Sequence, residues 1–137
     1  MTNFINKRVL VVEDNGPIAI MIGEMMKEFG AWPIGPATTE AEAFDIIDYA
    51  HRTFDAAILD LRLDRSSADV AAKLHELGIP FIFATGLPHE VPARFSHVPT
   101  CAKPYTIADL QNALHRAFEV SLPAAPNELS QGLRPTI

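Results

Sequence analysis

The sequence has one cysteine, Cys101, and no long run of apolar residues. A single cysteine forms no disulfide within the chain, which fits a reducing compartment. No apolar stretch approaches the roughly 20 residues that a transmembrane helix needs. The first residues are not followed by the apolar region and cleavage site of a signal peptide. We therefore expect a cytoplasmic protein with no membrane segment.

Basic residues are also few, with 11 Lys and Arg against 17 Asp and Glu, for a net charge of −6. No dense Lys/Arg stripe is present, which argues against a nucleic-acid partner. No glycine-rich phosphate loop or internal repeat is present either. The length of 137 residues suits one domain with a real core. We expect a domain over residues 1–120 and a flexible, proline-containing tail over residues 121–137.

Short apolar runs alternate along the chain with stretches of helical periodicity. The first run, "RVLVV", is continuous and rich in valine, as in a strand that is covered on both faces. Ile18, Met21, Ile22, Met25 and Phe29 then follow at the spacing of one helix face. The predicted strands cover residues 8–12, 32–37, 54–60, 80–85 and 100–103.

Strand and helix alternate five times, which predicts right-handed crossovers and a parallel sheet with helices on both faces. The expected fold is therefore a doubly wound α/β domain with a five-stranded parallel sheet. In such folds ligands bind beyond the carboxyl ends of the strands, where the winding direction reverses. The residues at those ends are the candidates for function.

Polar side chains follow four of the predicted strands. Glu13 and Asp14 end the first strand, Asp60 the third, Thr85 the fourth and Lys103 the fifth. If all the strands are parallel, these residues converge at one edge of the sheet. Three carboxylates, a hydroxyl and an ammonium group would then share a shallow pocket.

Three carboxylates in one pocket need protons or a cation, because like charges raise each other's pKa. An all-oxygen site that stays partly wet suits Mg²⁺. A carboxylate can also act as a nucleophile towards phosphorus. We expect Asp60 to be that nucleophile, with Lys103 offsetting phosphoryl charge and Thr85 bonding a phosphoryl oxygen.

The ordered set "VLVVEDN", "ILDL", "FAT" and "AKPY" resembles the receiver domain of two-component response regulators, over about residues 7–120. The resemblance implies a flavodoxin-like sheet of strand order 2-1-3-4-5. It also implies that Glu13, Asp14 and Asp60 hold Mg²⁺. The backbone carbonyl of Arg62 would complete the metal contacts of the protein.

The resemblance further implies a function. Asp60 would accept a phosphoryl group from the phosphohistidine of a histidine kinase, with Thr85 and Lys103 in the family's catalytic positions. The protein would catalyse its own phosphorylation and dephosphorylation rather than act as a turnover enzyme. It would signal by contact with a downstream protein or drain phosphate from a shared phosphorelay. The segment "IPFIFATG" is similar to the Phe-Ala-Thr-Gly (FATGUY-like) subgroup of stand-alone receivers, found beside histidine kinases of alphaproteobacteria.

Two features depart from the family pattern. Most receivers carry Tyr or Phe three residues before the lysine, as a switch, whereas this sequence has Thr100 there, and Tyr105 is not an obvious substitute. The segment between Thr85 and Thr100 contains Pro88, Pro92 and Pro99, which disfavour a helix. We expect a mobile loop or short helix there, which becomes ordered when Thr85 moves towards the phosphoryl group.

Other functions fit the sequence less well. Haloacid-dehalogenase-like phosphatases also form an aspartyl phosphate, but they need a second Asp two residues after the nucleophile, where this chain has Arg62. The alternative that stays open is a pseudo-receiver, which docks partners without being phosphorylated. Taken singly, each acidic residue could also be an ordinary cap at a strand or helix end.

Overall fold

The structure is a computed structural model that describes residues 4–63 and 67–124. Within these residues no helix is both long and apolar enough to cross a bilayer. Most of the predicted tail, residues 125–137, lies outside the described residues. The strands are β1 (Arg8–Val12), β2 (Trp32–Ala37), β3 (Ala56–Leu59), β4 (Phe81–Thr85) and β5 (Thr100–Ala102). The α-helices are α1 (Gly16–Glu28), α2 (Glu40–Ala50), α3 (Ala68–Glu76) and α4 (Ile107–Ala124).

The five strands form one parallel sheet in the order β2-β1-β3-β4-β5, with helices on both faces. This confirms the predicted fold and strand order. In the register, Val12 lies opposite Leu59, Leu59 opposite Phe83 and Thr85 opposite Ala102. The carboxyl ends of β1, β3, β4 and β5 therefore meet at one edge.

The alternation of side chains along the central strands divides the core into two layers. Val9, Val11 and Ile58 pack on the face that α1 and α4 cover. Leu10, Val12 and Leu59 pack on the opposite face, beneath α2 and α3. Full burial of one such side chain is worth about 1.5–3 kcal/mol, so the central strands form a stable platform for the residues at their ends.

Four of the five residues predicted on the inward face of α1 pack in or against the core, namely Ile18, Ile22, Met25 and Phe29. The buried residues of this helix include Ala19, Ile22 and Met26, whereas Met21, which the spacing placed inward, is exposed. Small residues explain the difference, because they let the helix lie close to the sheet. A Cβ atom built on the buried Gly23 would lie 3.4 Å from Cγ of Pro33 in β2.

No α-helix lies between β4 and β5, in keeping with the prolines of that segment. It contains two 3₁₀ turns, Pro88–Glu90 and Ala93–Phe95. Phe95 is buried, with its ring centroid 6.1 Å from that of Phe81 and 6.0 Å from that of Phe83. The aromatic contacts of Phe95 thus attach the segment to the face of the sheet.

Candidate functional site

Three carboxylates meet at the carboxyl ends of β1 and β3. Glu13, Asp14 and Asp60 each offer an oxygen atom, and these atoms all lie within 4.8 Å of one another. Backbone bonds hold the two strand ends, since the Asp60 N–H donates to the carbonyl of Val12 at 2.8 Å and the Glu13 N–H to that of Ala37 at 2.9 Å. Glu13 and Asp60 are buried and Asp14 is exposed, so the cluster is open to solvent on one side.

Glu13 is the most deeply buried of the three acids, and its surroundings act on its charge in opposite directions. Burial, and after it the hydrogen bond and charge of Asp60, raise its pKa, the Asn15 N–H and Lys103 lower it, and the net result is a pKa of about 7. That N–H donates to Oε2 of Glu13 at 3.2 Å. A cation in the cluster would relieve the repulsion between Glu13 and Asp60 without a proton.

Lys103 brings a positive charge into the cluster from the end of β5. Its Nζ lies 3.4 Å from Oε1 of Glu13 and 3.8 Å from Oδ2 of Asp60. The Lys103 backbone N–H donates to the carbonyl of Thr85 at 2.8 Å, which ties this position to β4. One ammonium group against three carboxylates leaves an excess of negative charge when all are ionised.

The set of donor atoms fits a small hard cation. Carboxylate oxygens are the ligands that Mg²⁺ prefers, and the exposed side of the cluster leaves room for the waters that Mg²⁺ keeps. The described residues bring together no other group of three or more acidic, histidine or cysteine side chains that could hold a metal. The residues present therefore fit the predicted metal site.

Thr85 and Arg62 border the cluster. Thr85 is buried at the end of β4, and its Oγ1 accepts the Leu87 N–H at 3.0 Å, which leaves the hydroxyl proton for donation elsewhere. The Arg62 N–H donates to Oδ1 of Asp60 at 3.2 Å. The Arg62 guanidinium lies 3.2 Å from Oε1 of Glu90, in the first 3₁₀ turn after β4.

Several solved structures are similar to this chain. The solution structure of SdrG from Sphingomonas melonis Fr1 is 32% identical, with a TM-score of 0.73, over 86% of this chain and 99% of that one. A CheY-like response regulator receiver domain from Methylobacillus flagellatus is 22% identical, with a TM-score of 0.70, over 82% and 98% of the chains. The chain belongs to the response regulator receiver family. The PhyR receiver domain from Erythrobacter litoralis shares the receiver fold at 19% identity, with a TM-score of 0.72 over 97% and 98% of the chains.

Two other comparisons gave no match for this receiver domain, neither to a family model nor to a curated protein. Its assignment to the family therefore rests on the solved structures, and above all on the 32% sequence identity with SdrG over 86% of this chain. The four residues Glu13, Asp14, Asp60 and Lys103 lie together as the sequence predicted. The chemical roles of these residues, and of Thr85 and Arg62, stay predictions.

The sequence did not indicate two residues next to the receiver site. Glu90 lies 28 positions after Arg62 in the chain and contacts its side chain, and no local sequence pattern predicts such a pair. Tyr105 is buried, and its hydroxyl has no hydrogen-bond partner among the described residues. The side chain at the usual switch position, Thr100, donates from Oγ1 to the carbonyl of Val98 at 3.2 Å.

Proposed function

We propose that the protein is a receiver that accepts a phosphoryl group on Asp60 in a Mg²⁺-dependent reaction. The observation that carries the proposal is the position of the Lys103 ammonium within 4.0 Å of both buried carboxylates of a three-carboxylate cluster. A cation-binding cluster, a nucleophile and a fixed positive charge in one pocket suit phosphoryl transfer.

In the proposed step an Asp60 oxygen attacks the phosphorus atom of a phosphohistidine. The new P–O bond forms as the P–N bond breaks, and the ring, protonated on its other nitrogen, leaves as a neutral imidazole with the electron pair of that bond. Lys103 would face the oxygens of the incoming group, and the Thr85 hydroxyl proton would bond one of them. The three carboxylates and the backbone carbonyl of Arg62 would hold Mg²⁺, which supplies positive charge to the transferring group.

The phosphoryl donor in this proposal is a histidine kinase in the cytoplasm. The segment "IPFIFATG" supports a place in the Phe-Ala-Thr-Gly subgroup. Phosphorylated protein would then signal by contact with a downstream protein or return the shared kinase to its unphosphorylated state. Hydrolysis of the aspartyl phosphate, catalysed by the same site, would end the signal.

Intact mass spectrometry after incubation with Mg²⁺ and a small phosphoryl donor tests the proposal. Acetyl phosphate supplies a P–O donor and phosphoramidate a P–N donor like phosphohistidine. Wild-type protein should gain one phosphoryl group, and Asp60→Asn none. Asp48→Asn, which changes an exposed acid on α2, should still gain it.

Two results would count against the proposal. A phosphoryl group on Asp60→Asn would place the acceptor elsewhere. No gain from either donor, or from a purified histidine kinase, together with no Mg²⁺ binding at millimolar concentration, would favour the pseudo-receiver alternative.

A further inference from the structure

Tyr105 combines deep burial with an unpartnered polar group. The side chain is only 8% exposed, and among the described residues its hydroxyl oxygen has no hydrogen-bond partner. Buried hydroxyl groups in native proteins nearly always have a partner, because losing water without replacing its hydrogen bond is costly. We therefore expect this hydroxyl to have a partner other than the described residues in their present arrangement.

The location of Tyr105 indicates which partner that is. It lies two residues after Lys103, whose ammonium contacts Glu13 and Asp60. The ring belongs to the buried core layer beneath α1 and α4, which also contains Cys101 and Leu110, so the position of the hydroxyl is restricted.

Burial, and after it the negative charges nearby, keep the hydroxyl protonated. Burial raises the pKa of Tyr105 most, and the negative charge of Glu13 raises it next, followed by the charges of Cys101 and Asp60. A protonated phenol beside carboxylates is a hydrogen-bond donor. Both oxygens of Glu13 retain acceptor capacity, because each is in contact with one donor, the Lys103 ammonium or the Asn15 N–H.

We infer that Tyr105 is a positioning residue of the acidic cluster, and that its hydroxyl donates to the Glu13 carboxylate, directly or through one water, when the cluster holds a divalent cation. The inference rests on the proposed function, since it assigns a second contact to a ligand of the proposed metal site. Groups that hold a metal ligand in this way restrict its orientation and so strengthen metal binding.

The test removes only the hydroxyl. Tyr105→Phe is compared with wild type and with Tyr49→Phe, which changes the other tyrosine of the chain at a position 91% exposed. Calorimetric titration should show roughly tenfold weaker Mg²⁺ binding for Tyr105→Phe and no change for Tyr49→Phe. Without Mg²⁺, Tyr105→Phe should melt at the wild-type temperature or above it, because no unpaired hydroxyl remains.

Equal Mg²⁺ affinity in Tyr105→Phe and wild type would overturn the inference. A clear loss of stability in metal-free Tyr105→Phe would also overturn it, since the hydroxyl would then have a partner without the cation. A measurement on wild type alone adds a check: the ¹³Cζ resonance of Tyr105 should shift on Mg²⁺ addition while that of Tyr49 should not. No shift at Tyr105 counts against the inference.

The outcome for wild type separates this inference from the proposed function. Wild-type protein that binds Mg²⁺ and accepts a phosphoryl group, beside an unaffected Tyr105→Phe, would reject the role of Tyr105 alone. Wild-type protein that does neither would reject the proposed function, and the role of Tyr105 with it.

Discussion

Asp60 is a buried carboxylate beside two others, and at the residue scale this crowding sets what the site can do. Two carboxylates about 5 Å apart repel by roughly 3 kcal/mol at an effective dielectric near 20. Lys103 offsets part of that repulsion in the metal-free protein. The remaining repulsion destabilises the metal-free pocket, and a divalent cation would reduce it.

Because the carboxylates repel one another, we expect that a neutral residue at the proposed acceptor position stabilises the metal-free protein. Asp60→Asn should raise the free energy of unfolding in a chelating buffer by about 1 kcal/mol, because it removes repulsion and keeps the shape of the side chain. Urea denaturation measures the change, with Asp48→Asn as the control. A loss of stability in Asp60→Asn would mean that the contacts of Asp60 with Lys103 and the Arg62 N–H outweigh the repulsion.

A substitution of Lys103 is expected to affect phosphoryl transfer and metal binding differently. Lys103→Gln should slow phosphorylation by acetyl phosphate about 100-fold, because the ammonium group that would stabilise the negative charge of the transferring phosphoryl group is lost. Its Mg²⁺ affinity should be unchanged or higher, since the cluster becomes more negative. Phosphorylation rates from time-resolved mass spectra and Mg²⁺ titration check the two effects. A parallel loss of both would mean that Lys103 acts by organising the cluster.

Arg62 is expected to affect the lifetime of the phosphoryl group more than the stability of the fold. Its ion pair with Glu90 is exposed, at 66% and 41% of the two side chains, and such pairs contribute about 0.2–1 kcal/mol. Arg62→Ala should therefore change the rate of dephosphorylation while the free energy of unfolding changes by less than about 1 kcal/mol. Glu90→Gln separates the ion pair from the side chain itself. Equal phosphoryl half-lives in wild type and Arg62→Ala would contradict this role.

At the element scale, the start of α2 shows how a local motif stabilises a helix. The Glu42 N–H donates to Oγ1 of the N-cap residue Thr39 at 3.1 Å. The Glu42 carboxylate in turn accepts both the N–H and the hydroxyl of Thr38, each at 2.7 Å. A capping box is thus present, with the return contact made to the residue before the N-cap.

These contacts predict a pH-dependent contribution of Glu42 to stability. The Thr38 N–H, and then its hydroxyl, lower the pKa of Glu42 below the ordinary value of 4.5. The stabilisation is therefore complete above pH 4.5 and is lost as the pH falls through the lower, folded-state pKa. Glu42→Gln should lower the melting temperature at pH 7 and lower it less at pH 3, with Asp45→Asn as the control. An equal effect at both pH values would contradict a charge-dependent contact.

The elements differ in how far the sequence predicts them. The central strands were predicted well, because continuous apolar runs that end in polar residues leave few alternatives. The inward face of α1 was predicted correctly except at Met21, but it also includes Ala19 and Gly23, which carry little hydrophobic signal. The two 3₁₀ turns after β4 could only be predicted as poor helix, because the packing of Phe95 against Phe81 and Phe83 decides their path.

At the scale of the whole molecule, the parallel topology creates the site. Residues 13, 60, 85 and 103 are far apart along the chain, and the sheet order brings their strands side by side. The sequence predicted this meeting because each strand delivers a polar residue at the same end. It could not predict the Arg62–Glu90 pair, or that the Tyr105 hydroxyl has no partner among the described residues, because both depend on the paths of loops.

The central claim is that Asp60 itself carries the phosphoryl group, and its direct test is to locate that group. Protein treated with Mg²⁺ and acetyl phosphate is reduced with borohydride, which converts an aspartyl phosphate to homoserine, and its peptides are then analysed by mass spectrometry. Homoserine should appear at position 60, and only when Mg²⁺ is present. Homoserine at another position, or an equal amount at position 60 with Mg²⁺ chelated, would contradict the account.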